Sequence, residues 1–130
     1  MRVVFDTNIF ISALVFPGST AERAIVKIIE GEDSLYISRE IFDEVLSVLS
    51  SKFSRDSEAI SRVAFNLSEL AEFVNPTEKI RVLKDEPDNR ILECAVSGNA
   101  DIIVTGDKEM LKLREYGKIK LMSLKEYLAL

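Results

Sequence analysis

The stretch Asp101-Ile102-Ile103-Val104-Thr105-Gly106-Asp107-Lys108 sets three branched apolar residues in a row and closes them with a turn that ends on an acid. A continuous apolar run this short, stopped by glycine, reads as a strand buried on both faces. On its upstream side, helical apolar spacing runs over residues 88–98, ending at Gly98. On its downstream side, a helix is predicted to about Tyr116, then a strand over 119–122, and Ser123 caps a terminal helix. The N-terminus repeats the pattern, since the apolar run over 2–5 stops directly on Asp6.

The middle of the chain continues the alternation. A helix is predicted over about 7–14, ending before the turn Phe16-Pro17-Gly18. Ser19 or Thr20 caps the next helix, which carries Ala24, Ile25, Ile28 and Ile29 and stops at Gly31. Leu35-Tyr36-Ile37 is a strand. Ser38 caps a helix to about Ser51, and a longer amphipathic helix covers about 56–73. A further short strand belongs near 73–75 or near 80–83. Short apolar strands alternating with helices imply a parallel sheet covered on both faces. In such sheets the site lies beyond the carboxyl ends of the strands, where the strand order reverses.

Composition narrows the chemistry. The 130 residues suit a single domain, and with 47% apolar and 30% charged residues the chain is expected to fold and to stay soluble. No apolar run is long enough to span a bilayer, and the N-terminal one is too short for a signal peptide. Cys94 is the only cysteine, so a cytoplasmic protein without disulfides is the expectation. There is no histidine, which rules out Ser-His-Asp and Cys-His catalysis and removes the usual nitrogen ligands of zinc. Hydrolysis here must rest on carboxylates. The net charge of −5 argues against bulk electrostatic coating of nucleic acid, though not against an acidic site with a basic rim.

Two acids follow strands directly. Asp6 ends the first, and Asp107 lies just past the strand over 102–104. Each is also a favoured helix N-cap, so capping and chemistry both stand for them. Helix geometry adds two more. With Asp88 at 0°, Leu92 falls at about 40° and Ile91 at about 300°, which puts Asp88 near the centre of the apolar face. Arg90, Glu93 and Cys94 point away on the same count. A charge aimed inward at a helix start must cap the helix or meet a cation. With Ile41 at 0°, Glu44 falls at about 300°, on the shoulder of its helix's apolar arc, and Asp43 at about 200°, toward solvent. Two carboxylates 4 Å apart cost about 4 kcal/mol at an effective dielectric of about 20. Four of them at one edge would raise one another's pKa or take up a hard divalent cation, Mg²⁺ or Mn²⁺.

These residues fall into a pattern. The run Val3-Val4-Phe5-Asp6-Thr7-Asn8 resembles the opening of PIN domains. The stretch Asp85-Glu86-Pro87-Asp88-Asn89-Arg90-Ile91-Leu92-Glu93-Cys94-Ala95 is similar to the family's third acidic motif, and the segment from Asn99 to Lys108 resembles the fourth. The Glu44 helix occupies the place of the second. The likeness is to the branch of toxins in toxin–antitoxin pairs, similar to VapC. It implies a three-layer α/β/α sandwich with a parallel sheet of four or five strands. It further implies that Asp6, Glu44, Asp88 and Asp107 hold the metal and carry catalysis. Asn8 and Thr105 would line the site as supporting donors, and Asp85 is a neighbour without an assigned role. The implied activity is metal-dependent cleavage of RNA, leaving 5′-phosphate and 3′-hydroxyl ends. The implied partners are a small antitoxin protein and a second copy of the chain.

Other readings compete. A silent PIN fold could bind RNA or protein without turnover. A haloacid-dehalogenase type would want an acid where Asn8 stands, and a receiver domain would want an acidic pair where Thr7 follows Asp6. Lys108, Lys112 and Arg114, with Arg39 and Lys52, are candidate substrate contacts, although ordinary solvated helix faces account better for most of them. Cys94 reads as a small packing residue on the outer part of its helix.

Overall fold

The computed structural model describes residues 1–130. Three strands form where the sequence is unbrokenly apolar: β1 (Arg2–Phe5), β2 (Ser34–Ser38) and β4 (Ile102–Val104). Between β1 and β2 lie α1 (Thr7–Val15) and α2 (Thr20–Ile29). Then come α3 (Arg39–Lys52), α4 (Ser57–Leu70), β3 (Glu72–Val74) and α5 (Glu86–Ser97). After β4 follow α6 (Lys108–Leu113), β5 (Glu115–Tyr116), β6 (Ile119–Met122) and α7 (Leu124–Leu128). No single helix is long and apolar enough to cross a membrane.

The sheet runs β3-β2-β1-β4-β6-β5. Its first five members are parallel, and β5 joins the edge antiparallel to β6. Connections from β1 run one way, to β2 and β3; those from β4 run the other way. The order therefore reverses between β1 and β4, where an open α/β sheet leaves a crevice.

Register shows which helices cover which face. Val4 pairs with Tyr36, and a Cβ on Gly98, which caps α5, would stand 3.4 Å from the Tyr36 ring. Thus α5 packs on the face that carries Val4. Phe5 alternates to the opposite face. There its ring meets Phe10 of α1 and Tyr127 of α7, with centroids 5.7 and 5.9 Å away. The result is the expected sheet between two helical layers.

Several boundaries differ from the sequence-based expectation. The short strand lies over 72–74, while residues 80–83 are irregular. The helix expected to reach Tyr116 ends at Leu113, because Arg114 turns left-handed (φ 62°). Gly117 then takes φ 60° in the two-residue loop that pairs β5 with β6, a position where glycine avoids a steric penalty. The short, charged β5 protects that edge of the sheet from further pairing. Glu93 and Cys94 are buried, not turned outward. Helix periodicity distinguishes one apolar face from the rest. It does not register that residues 75–84 fold over the far side of α5.

Candidate active site

Asp6 leaves β1 with its N–H still in the sheet, donating to the Val104 carbonyl at 3.0 Å. Its carboxylate is 6% exposed and has two donors. The Thr105 hydroxyl donates to Oδ2 at 2.7 Å, and the Asn8 backbone N–H donates to Oδ1 at 3.4 Å. Thr105 is wholly buried at the end of β4. Its hydroxyl proton goes to the carboxylate, not to the Met110 sulfur at 3.8 Å. The same oxygen accepts the Asp107 N–H at 3.0 Å. Thr105 therefore ties together the acids that follow β1 and β4.

Both capping and convergence hold for Asp6 and Asp107. Asp6 caps α1, and Asp107 caps α6 by accepting the Met110 N–H at 3.0 Å. Asp88 does not cap. Helix α5 starts two residues earlier, with Asp85 at the N-cap, so Asp88 sits in the first turn, 7% exposed. Glu44, half-buried on α3, lies close enough to Asp6 and Asp85 to feel their charge, whereas Asp43 is exposed and paired with Arg39.

The electrostatics record this convergence. Burial raises the Asp6 carboxyl above its usual range, Thr105 and Asn8 oppose the rise, and Asp107 adds to it. Burial raises Glu44 as well, helped by Asp6 and Asp85 and opposed by Lys52. Asp88 is pushed up to about 7, first by burial, then by Asp107, Asp85, Asp6 and Glu44. No hydrogen bond offsets that rise. Each predicted acid is thus within the electrostatic reach of others.

The donor set fits a hard divalent cation. It is all oxygen and all of one sign, and its acids hold protons in a way that an opposing charge would reverse. The side chains do not close into a ready-made cage: no three of them stand together as a coordination set. The two supporting donors differ. Thr105 is buried in the centre of the site, whereas Asn8 is exposed and contributes through its backbone. Among the basic candidates, Arg39 and Lys112 are taken up in exposed pairs on their own helices, the kind worth little energetically. Lys52 acts on Glu44. Asp85, without a role in the sequence reading, lies close enough to Glu44 and Asp88 for its charge to raise both. Its position three residues before Asp88 at a helix start was the available signal.

A PIN domain family model matches residues 2–109, the span from β1 into α6. The chain belongs to the PIN domain family. The uncharacterized protein MJ1680 of Methanocaldococcus jannaschii is 33% identical over 122 residues, covering 91% of this chain and 78% of that protein. Among solved structures, VapBC2 of Rickettsia felis, bound to a DNA fragment from its promoter, superposes with a TM-score of 0.68 at 16% identity, covering 95% of this chain and 98% of that one. VapBC-1 of nontypeable Haemophilus influenzae gives 0.68 at 20% identity, with 96% and 99% covered. At that identity the two structures establish a shared PIN fold.

Proposed function

We propose that this PIN domain is a metal-dependent endoribonuclease and the toxin of a toxin–antitoxin pair, active in the cytoplasm as a homodimer. The observation that carries the reading is the mutual electrostatic influence of Asp6, Glu44, Asp88 and Asp107 around the point where the strand order reverses. Carboxylates are the only acid–base groups of the chain suited to hydrolysis near neutral pH, since it has no histidine and its one thiol is buried.

Asp6, Glu44, Asp88 and Asp107 would hold Mg²⁺ or Mn²⁺, which would supply Lewis acidity to the phosphodiester and to the attacking water. Asp6 orients that water. Thr105 fixes the Asp6 carboxylate and so the direction it presents. Asp107 brings its charge to the mouth of α6 and keeps it there through its cap bond. Asp88, with its pKa pushed up to about 7, would hold a proton below neutral pH and lose it more readily beside an opposing charge. Lys52 and Lys108, exposed and without acidic partners, supply positive charge for the RNA backbone.

An apolar groove between α1, α2 and α4, lined by Leu14, Ile25, Val63 and Leu67 with Glu22 and Glu69 at its rim, offers an antitoxin a seat. The solved relatives named above are VapBC pairs. A tail of the same partner reaching across the acids with a basic side chain would block the site.

The deciding experiment is cleavage of a panel of RNA and DNA oligonucleotides with Mn²⁺, Mg²⁺ or EDTA, beside Asp6→Asn and Asp107→Asn. The expected result is metal-dependent cleavage of RNA that both variants lose. Full activity of Asp6→Asn sinks the assignment. Metal binding without cleavage of any substrate gives the place to a silent RNA- or protein-binding module.

A further inference from the structure

Six of the seven helices begin with a side chain that accepts a backbone N–H: Asp6, Ser19, Ser38, Asp56, Asp107 and Ser123. Helix α5 does not. Asp85 stands at its N-cap and makes no cap bond. What fixes this helix start is the irregular strap before it, residues 75–84.

The strap is clipped to α5 at two points. Asn89, wholly buried, pairs with the backbone of Leu83 in both directions. Its Nδ2 donates to the Leu83 carbonyl at 2.9 Å, and its Oδ1 accepts the Leu83 N–H at 2.9 Å. The amide thus imitates a neighbouring strand. One turn later Glu93 accepts the N–H of buried Ile80 at 2.9 Å. Arg90 Nη2 donates to the same carboxylate oxygen, Oε2, at 2.8 Å. Burying a polar group is costly unless it is fully bonded. Two buried polar side chains on one helix, spent on an irregular segment, show that the path of that segment matters.

The path ends at Asp85. Leu83 is fixed, Lys84 bridges one residue, and Asp85 follows at the end of α5 nearest Asp88. We infer that Asn89 and Glu93 are positioning residues: by clipping the strap to α5 they hold Asp85 at the mouth of the acid cluster as a fifth carboxylate for the cation. The inference rests on the metal-dependent reading above. It explains why an N-cap aspartate leaves its own helix uncapped. Its charge acts on Glu44 and Asp88 instead.

The test is Mn²⁺ binding to the full chain, followed by calorimetry and by the loss of the free-ion electron-resonance signal. Asp85→Asn is expected to weaken binding about tenfold, the lower range for residues that orient metal ligands. Its melting temperature should not fall, because the side chain is exposed and bonds nothing, and its charge only opposes those of Glu44 and Asp88. Asn89→Ala should weaken binding comparably and lower the melting temperature. In the Asp85→Asn background, Asn89→Ala should weaken Mn²⁺ binding no further, the mark of two residues acting through one contact. Glu93→Gln, nearly isosteric, gives the same cycle if Asn89→Ala does not fold. Wild-type affinity in Asp85→Asn, or losses that multiply, overturns the inference and leaves the nuclease reading intact. A wild-type chain that binds no Mn²⁺ overturns both.

Discussion

Asp88 carries an unfavourable charge in the folded chain. Its folded pKa of about 7 lies above its ordinary value of 3.8. Between those values the native state binds more protons than the unfolded state. Stability therefore falls as pH rises from about 4 to about 7, and the full penalty stands above that range. The shift corresponds to roughly 4 kcal/mol if this one group bears it all, and to less where coupled acids share it. Asp88→Asn should thus melt several degrees higher than the wild type near pH 8 in EDTA, while cleavage is lost. Near pH 4, where the wild-type carboxyl is protonated, the two melting curves should converge. A variant that is less stable at pH 8 would falsify the electrostatic account. At this scale much of the candidate site was legible. Asp6 follows an apolar strand directly and Asp107 follows one after two residues, and Asp88 and Glu44 fall on inward helix angles. Asp85 was legible only as a neighbour, from its place three residues before Asp88, because the loss of a cap bond leaves no trace in a residue pattern.

Helix α5 shows where periodicity stops being informative. Counting at about 100° per residue placed Ile91, Leu92 and Ala95 inward, and they are buried. The same count turned Glu93 and Cys94 to solvent, yet they are 6% and 0% exposed. The helix is sandwiched between the sheet on one side and α3 and the strap on others, and only tertiary structure decides that. Cys94 tests the point. Its thiol lies near Ser38, and burial pushes its pKa up to about 12. It should resist thiol reagents in the native state. Cys94→Leu should destabilise by about 1–3 kcal/mol through overpacking, read from urea denaturation. A thiol on the outer face would tolerate that change to within about 0.5 kcal/mol. The late β5 was hidden for a similar reason. Leu113, Arg114 and Glu115 all tolerate helix, and the left-handed turn at Arg114 is set by pairing with β6.

For the whole molecule, the strand order separates two surfaces. The acids gather at the carboxyl edge between β1 and β4, while the apolar groove lies among α1, α2 and α4. A partner can therefore be anchored in the groove and act at the acids with an extended segment. Ile29 and Val26, 67% and 43% exposed, flank the groove on α2, and an acidic rim of Glu22 and Glu69 favours a helix with basic flanks. Ile29 is exposed enough to be changed without disturbing the core. Against the antitoxin proposed above, Ile29→Asp should weaken the complex by about 2 kcal/mol, roughly thirtyfold in Kd, as for an apolar anchor at an interface. Cleavage by the free variant should match the wild type, since the groove bears none of the acids. Inhibition should require more antitoxin in proportion to the lost affinity. Equal affinity for variant and wild type would place the partner elsewhere on the surface. Loss of cleavage along with affinity would mean that the groove and the acid cluster are not separate, and that α1, which Asp6 caps and which lines the groove through Leu14, couples the two.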